Sequence, residues 1–486
     1  MLYATPNPPP AARACPLFSA RTAQIVTVLM LLWAFPNDSL AKQSDSALKG
    51  HDGQTAAIVE TEPAPDAPLF EAAASGSAAQ VRKLLRNGAR ADFVDAMNRS
   101  SLMMAAQRGS EIIVKMLLKA GARAERVDMD GRNALHHAAT GGNRAVVSTL
   151  VKRNPALMDT TDNNGQTPIM LAAARGHYSV VRKLLTPASM QQHDARGRSL
   201  MFHAYTSGQM KLIRFLQKKK VPKSERTKEG ASLFMAAAQS GNLALVEQLI
   251  KHHDVNERCQ FGHTPLFLAA QCGNREIVAF LISMGASLDV VTDSGQTLLM
   301  VVSALDDAAL VKQLIVRGAH LDRTDAFGRT ALFYALAASQ NEVAKTLLSF
   351  GANPNVADNK GATPIEIAVQ QGNEEMVSRL LERGALPKGS RQNGESPLMT
   401  ATRLGNEQIV GELLGAGASI HSVDSNGTTL LMVASQKGMT DFVRLLIQWG
   451  QKTGARNVDG QSALDIARAN HQREVISILE QQAGSE

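Results

Sequence analysis

Asn164-Gly165-Gln166-Thr167-Pro168-Ile169-Met170-Leu171-Ala172-Ala173 and Phe261-Gly262-His263-Thr264-Pro265-Leu266-Phe267-Leu268-Ala269-Ala270 are two copies of one phrase. The glycine supplies the positive φ that other residues resist, so the chain turns there. Thr places a hydroxyl at a helix N-cap, and Pro brings a preset φ to the first helical position. A helix therefore begins at each Thr-Pro. The paired alanines let a neighbouring helix come close, and Gly176 or Gly273, three residues on, ends a helix of about ten residues. A second apolar stretch follows at helical spacing, as in Val181-x-x-Leu184-Leu185, Val246-x-x-Leu249-Ile250 and Val377-x-x-Leu380-Leu381. Gly-Ala pairs such as Gly285-Ala286, Gly351-Ala352 and Gly417-Ala418 stop that second helix.

The phrase recurs. A glycine two residues before Thr or Ser stands at Gly131, Gly165, Gly197, Gly230 and Gly262, with spacings of 34, 32, 33 and 32, and then every 33 residues to Gly460. Such a period means a solenoid of short units, none of which buries its apolar face alone. Extending the frame backwards places Asn98 at the glycine position of an earlier copy and Pro68-Leu69 in a first one, for thirteen units. An aspartate precedes the glycine in many copies (Asp128, Asp162, Asp194, Asp325, Asp358, Asp424) and suits a turn closed by its carboxylate. Each unit reads as projecting finger, helix, turn, helix.

These residues resemble the ankyrin repeat over about 66–484. The resemblance implies an all-α solenoid of helix-turn-helix units with β-type fingers, whose fingers and first helices form a concave surface that grips other proteins. It implies no enzymatic activity. The family's His after Leu is present as His136, whereas Met103, Met170, Phe267, Met300 and Met399 take its place elsewhere, which weakens local hydrogen bonding. Three further departures stand out. The fifth unit, near 194–226, carries Phe202-His203-Ala204-Tyr205 in place of the alanine pair and Lys220 in place of the exit glycine, and reads as a bend between four and eight units. Asp306, Ser339 and His471 replace the glycine between helices in units eight, nine and thirteen. Glu480-Gln481-Gln482 makes the last helix a polar cap.

In the ankyrin family the residues flanking the finger glycine make contacts. At those places stand two large aromatics, Phe261 and Phe327, two units apart and so roughly 20 Å from each other at a helix spacing of about 10 Å. Aromatics exposed on a binding surface are favoured anchors, against the alternative that each folds down onto a neighbouring finger. Arg132, Arg196, Arg198, His263, Arg329 and Lys360 share the row with Asp130, Glu229, Asp293 and Glu395. A mixed row suits a protein partner better than a phosphate backbone, which favours one sign. Lys218, Lys219, Lys220 and Lys223, with Arg226 and Lys228 nearby, form the densest charge cluster: a site for an acidic partner or lipid headgroups, or a solvated exit loop. No aromatic interleaves it, which argues against single-stranded nucleic acid.

Other chemistry finds little support. His136-His137 point about 100° apart on a helix and have no second pair at ligand spacing, so His136 is expected to hydrogen-bond locally and His137 to be exposed. Cys259 and Cys272, at opposite ends of one short helix, are expected to be free thiols. There is no Gly-x-Ser-x-Gly, phosphate loop or His-Glu-x-x-His, so neither catalytic, cofactor nor metal residues are assigned.

The 486 residues are 44% hydrophobic and 20% charged, enough apolar content for a large core and too much for a disordered chain. Three cysteines exclude a disulfide framework, and a net charge of +7 is small for this length and points only weakly to nucleic acid or membrane. Near the amino terminus Arg13 and Arg21 precede an apolar run of eleven, Ile25 to Phe35, followed by Pro36 and Ser39-Leu40-Ala41. That order fits a secretory signal peptide, 1–41, cut after Ala41; a retained anchor is the alternative. Eleven residues are too few to span a bilayer unaided. Residues 42–65 read as a flexible linker and 66–486 as the repeat domain. The expectation is an exported bacterial scaffold, periplasmic or secreted and monomeric, that binds a protein partner and not nucleic acid, with no stable membrane span once the signal is cut. Its alternatives are an effector acting on a host protein and an accessory that protects an enzyme.

Overall fold

The computed structural model describes residues 66–223, 226–387 and 394–483. Among them are 26 α-helices in thirteen successive pairs, and no strand, from Asp66–Ser75 with Ala78–Arg86 to Ala463–Ala469 with Arg473–Ala483. The finger bases close through isolated antiparallel bridges, as between His193 and Ser199 or Val423 and Thr429. The expected signal peptide, with its cut after Ala41, and the expected linker lie outside the described residues.

The chain divides into two compact units, one ending at Ala286 with repeats one to seven, the other beginning at Ser287 with repeats eight to thirteen. Within each unit every first helix packs on the first helix of the next repeat. Ala105, Ala106, Ala138 and Ala139 are fully buried where these helices meet, their small side chains letting the helices approach closely. Second helices bury one stripe only, for example Val146, Val147 and Leu150, or Val377 and Leu380. A fully buried Leu or Val contributes about 1.5–3 kcal/mol, and here that burial is shared between the other helix of the same repeat and the neighbouring repeats.

Caps follow the sequence with two exceptions. The Thr264 hydroxyl accepts the Phe267 amide, and Ser100, Ser199, Ser232, Thr330 and Ser396 do the same in their repeats. Thr167 and Thr363 make no capping bond; Pro at the first helical position starts those helices without it. In three of the repeats where Met replaces the family's His, its sulfur reaches back to the N-cap amide: Met103 to Ser100, Met300 to Thr297 and Met432 to Thr429, each at 3.4 Å. Sulfur is a weak acceptor, so the contact is kept in geometry and reduced in strength.

The fifth repeat does not interrupt the stack. Its first helix, Leu200–Ser207, packs on both Pro168–Ala174 and Leu233–Gln239, and Phe202, His203, Ala204 and Tyr205 are all buried. Lys220 adopts φ +57°, the left-handed geometry of the exit glycine it replaces. First-helix packing is thus continuous through the fifth repeat, where the larger side chains are accommodated in the core. Ser339 (φ +56°) and His471 (φ +58°) likewise take the glycine conformation. Asp306 does not; the first helix of repeat eight instead stops early, at Ser303.

Two glycines separate packing from propensity. A Cβ on Gly141, at the end of a first helix, would collide with the Gln107 carbonyl oxygen of the preceding repeat, whereas Gly411, inside the helix Glu407–Gly415, faces open space. Gly141→Ala is expected to destabilise by about 1–3 kcal/mol and Gly411→Ala to stabilise by about 0.5–1 kcal/mol, read from urea midpoints.

Candidate protein-binding surface

The finger is built on one carboxylate. Asp128 Oδ1 accepts the amides of Asp130 (2.9 Å) and Arg132 (2.8 Å), and Asp162, Asp194, Asp325, Asp358 and Asp424 repeat the arrangement. Adjacent fingers are then joined by backbone bonds, Asn163 N–H to Asp130 O at 2.9 Å, Lys228 to Arg196 at 2.9 Å, Gln260 to Glu229 at 2.8 Å and Asn359 to Phe327 at 2.8 Å. Each tip is thus fixed at its base and along the row.

The second carboxylate oxygen ties the finger to its own first helix. Asp128 Oδ2 lies 2.8 Å from His137 Nε2, Asp194 Oδ2 lies 2.6 Å from Arg198 Nε and 3.1 Å from His203 Nε2, and Asp325 Oδ2 accepts the Tyr334 hydroxyl at 2.7 Å. Burial raises the Asp194 carboxyl, but the His203 hydrogen bond and the Arg198 charge outweigh it and hold the group at about 2. Burial lowers His137 and His203. His137, expected to be exposed, is instead mostly covered and engaged by Asp128. His136 behaves as expected: its ring contacts Asn133 Oδ1 (2.9 Å) and Gln166 O (3.1 Å), and burial lowers it to about 4.

The anticipated contact residues divide. Phe261, in repeat seven, is 37% exposed and Phe327, in repeat nine, 39%. Each has a side chain of its own finger beside it: Phe261 lies 6.3 Å from the His263 ring and Phe327 under the Arg329 guanidinium at 5.1 Å. They belong to different compact units. Arg198, His263 and Arg329 are buried, so the expectation of three exposed contacts gives way. Arg198 serves Asp194, His263 stacks on Phe267 at 5.0 Å, and Arg329 spans Phe327 and Phe333.

Arg132 reaches Asp162 at 3.2 Å and Asp130 at 3.4 Å, and Arg196 reaches Glu229 at 3.0 Å, so the mixed signs of the row are largely matched between fingers. Lys360 is exposed, as are Lys218, Lys219, Lys220 and Lys223.

Sequence reasoning passed over three features. Met97 and Met129, at the tips of adjacent fingers, are 56% and 69% exposed, with exposed Val127 beside them. The Met129 amide donates to Met97 O and the Asn98 side chain to Val127 O at 2.6 Å, which fixes this apolar patch. Only their flanking position gave a signal, and attention to aromatics hid it. The third feature is a second use of the Gly-Asn pairs between helices. Asn143 caps its helix with Oδ1 and donates Nδ2 to Gly109 O of the preceding repeat at 2.9 Å, and Asn242 does the same to Gly208 O at 2.7 Å. Among the described residues no group of three or more His, Cys, Asp or Glu is placed to hold a metal ion. Cys259 and Cys272 are free, and burial pushes the Cys272 thiol up to about 12.

Thirteen helix pairs on a period of about 33 residues, with fingers between successive pairs where described, define a repeat solenoid of the kind that scaffolds protein–protein contacts. A family model, "Ankyrin repeats (3 copies)", matches residues 69–160, 150–228, 233–306, 298–391, 358–424 and 398–485, and the chain belongs to that family. Protein phosphatase 1 regulatory subunit 27 of Homo sapiens is 36% identical over 83 residues, 17% of this chain and 54% of that protein. Ankyrin repeat and SAM domain-containing protein 6 of Rattus norvegicus is 30% identical over 137 residues, 27% of this chain and 16% of that one. The matched stretch thus spans about half of the first relative's length. Among solved structures, the ankyrin repeat domain of Bcl-3 aligns at 29% identity with a TM-score of 0.38, over 45% of this chain and 99% of that one.

The buried histidines set an acid limit. His136 titrates near 6.5 when unfolded and at about 4 when folded, so its contribution is complete above about pH 6.5 and is lost as pH falls through 4. Stability measured by urea titration should fall between those values. In His136→Met, the residue found at the matching place elsewhere, that fall should shrink by up to about 3 kcal/mol.

Proposed function

We propose that this chain is an exported scaffold that captures a protein partner on its finger and first-helix face, and that it binds without catalysing. The observation that carries the reading is the pair of apolar finger tips, Met97 and Met129, each more than half exposed on a backbone held by hydrogen bonds. Exposed apolar side chains on a preordered support lose little entropy on binding, which is how a rigid row becomes a docking surface. Phe261 and Phe327 add one half-exposed aromatic in each unit, and Arg132, Arg196 and Lys360 supply polar surroundings. The buried Arg198, His263 and Arg329 act by holding the fingers.

Export rests on the order of residues in 1–41. On this reading the partner is met in the periplasm or outside the cell. Enrichment in the medium would favour an effector, and co-purification with one envelope enzyme an accessory role.

Two experiments test the proposal. A photo-crosslinking amino acid placed at Met97 or Met129 should give an adduct with one and the same protein, and placed at Ser179, on a second helix, should not; equal labelling from Ser179 removes the finger face from the reading. Phe261→Ala with Phe327→Ala should weaken capture of that protein by roughly tenfold or more while leaving the helical signal intact. Separately, intact mass after cell fractionation is expected to show a chain beginning at Lys42 outside the cytoplasm; a full-length cytoplasmic chain would overturn export and leave the binding face standing.

A further inference from the structure

The face opposite the fingers in the first five repeats carries an unusual charge pattern. The second helices there, Ala78–Arg86, Glu111–Lys119, Arg144–Arg153, Tyr178–Leu184 and Met210–Lys218, hold thirteen Lys and Arg, all exposed, against a single carboxylate, Glu111. Among the described residues only Lys115 of the thirteen has an ionic partner, Glu111 at 2.7 Å. Lys219 and Lys220 extend the field past the fifth helix. The sequence cluster at Lys218 is thus the edge of a larger surface.

These helices are neighbours. The first four pack in succession, and the fourth meets the fifth through Tyr178 and Phe215, whose rings lie 5.2 Å apart with Lys211 over Tyr178 at 4.8 Å. At about 10 Å per helix the basic face is roughly 40 Å across. It is not a general property of the repeat. In the next two repeats the second helices bring Glu247 and Glu276 against Arg275, and in the second unit the second helices hold nine carboxylates against five Lys and Arg.

We propose that this outer-helix face of repeats one to five is an electrostatic docking surface for an anionic lipid bilayer. Charge complementarity supplies the attraction: Lys and Arg near an anionic membrane each add favourable energy within a Debye length of the surface. The layout fits an extended surface, since the cations spread over five helices side by side and trace no single line, as a phosphate backbone would require. Ile112 stands within the field beside Lys115 and is 63% exposed. An apolar side chain surrounded by cations suits the headgroup–acyl boundary and gains nothing from a phosphate backbone. The proposal is independent of the finger-face reading, because the two surfaces use different helices.

The test is vesicle co-sedimentation of the full chain, with phosphatidylcholine vesicles and with vesicles containing about 30% phosphatidylglycerol, at about 50 and about 300 mM salt. Binding to the anionic vesicles should be roughly tenfold tighter at low salt and the preference should vanish at high salt. Salt-insensitive binding equal on both vesicles is the signature of the apolar run Ile25–Phe35 and leaves the face without a role, overturning the proposal if it is all that is seen. Arg182→Gln, Lys183→Gln, Arg214→Gln, Lys218→Gln and Lys219→Gln together should abolish the salt-sensitive part. An equal charge change at Lys312, Arg317, Arg383, Arg444 and Arg473 should not, and circular dichroism checks that both variants are folded. Ile112→Ser should weaken the anionic vesicle binding alone. No anionic preference, equal loss in the control variant, or tighter binding of an about 30-bp DNA duplex at the same salt would overturn the assignment.

Discussion

The carboxylate at the base of most fingers accepts two backbone amides with one oxygen, and in Asp128, Asp194 and Asp325 the other oxygen grips the finger's own first helix. A projecting turn leaves its amides short of partners, and an unpaired polar group away from water costs about 1–3 kcal/mol. One side chain answers that cost inside the finger, which frees the remaining backbone groups to bond to the next finger. Where the aspartate is absent, a smaller substitute does part of the work. The Thr227 hydroxyl accepts the Ala231 amide, Thr292 accepts that of Gln296, and the Asn457 side chain accepts two. Within each unit the bonded fingers therefore hold one another in place.

Helices of six to eleven residues are marginal alone, so nearly all stability passes between neighbours. This explains which departures from the repeat are tolerated. Lys220 and Ser339 take a local conformational cost at positive φ, yet their repeats still pack against a neighbour on each side. Gly141 is the opposite case, since it has no left-handed geometry to protect and is demanded only by the approach of Gln107. Stacking also accounts for the last helix, which buries Val475 and Leu479 inward while Glu480 faces water.

Almost all of the fold was legible in the sequence because its signal is periodic: Gly at the finger, Thr or Ser at the cap and Gly-Ala at the exit recur in register along the chain, and the weak copies are read from the others. The contact surface was less legible. Arg198, His263 and Arg329 occupy the same register as exposed Lys360, and only their partners, Asp194, Phe267 and Phe333, turn them inward. The fifth repeat shows the same dependence on neighbours, since Phe202 and Tyr205 look oversized in the sequence and are buried between adjacent first helices. The basic outer face escaped because its charges are scattered over about 140 residues of sequence and converge only when second helices are laid side by side.

The two faces of the first unit differ in how their charges are disposed of. On the finger side Arg132 and Arg196 are matched by Asp162 and Glu229 of neighbouring repeats, so that side offers shape and apolar tips with little net field. On the outer side thirteen cations share one carboxylate, and helices about 10 Å apart lie within about a Debye length of one another at physiological salt. Their mutual repulsion opposes stacking, and nothing in the repeat pattern requires it, since the second helices of the other unit carry more acids than bases. A rigid stack withstands this repulsion where a flexible segment would expand. The same rigidity holds the charges in place, so that an anionic surface meets them already arrayed.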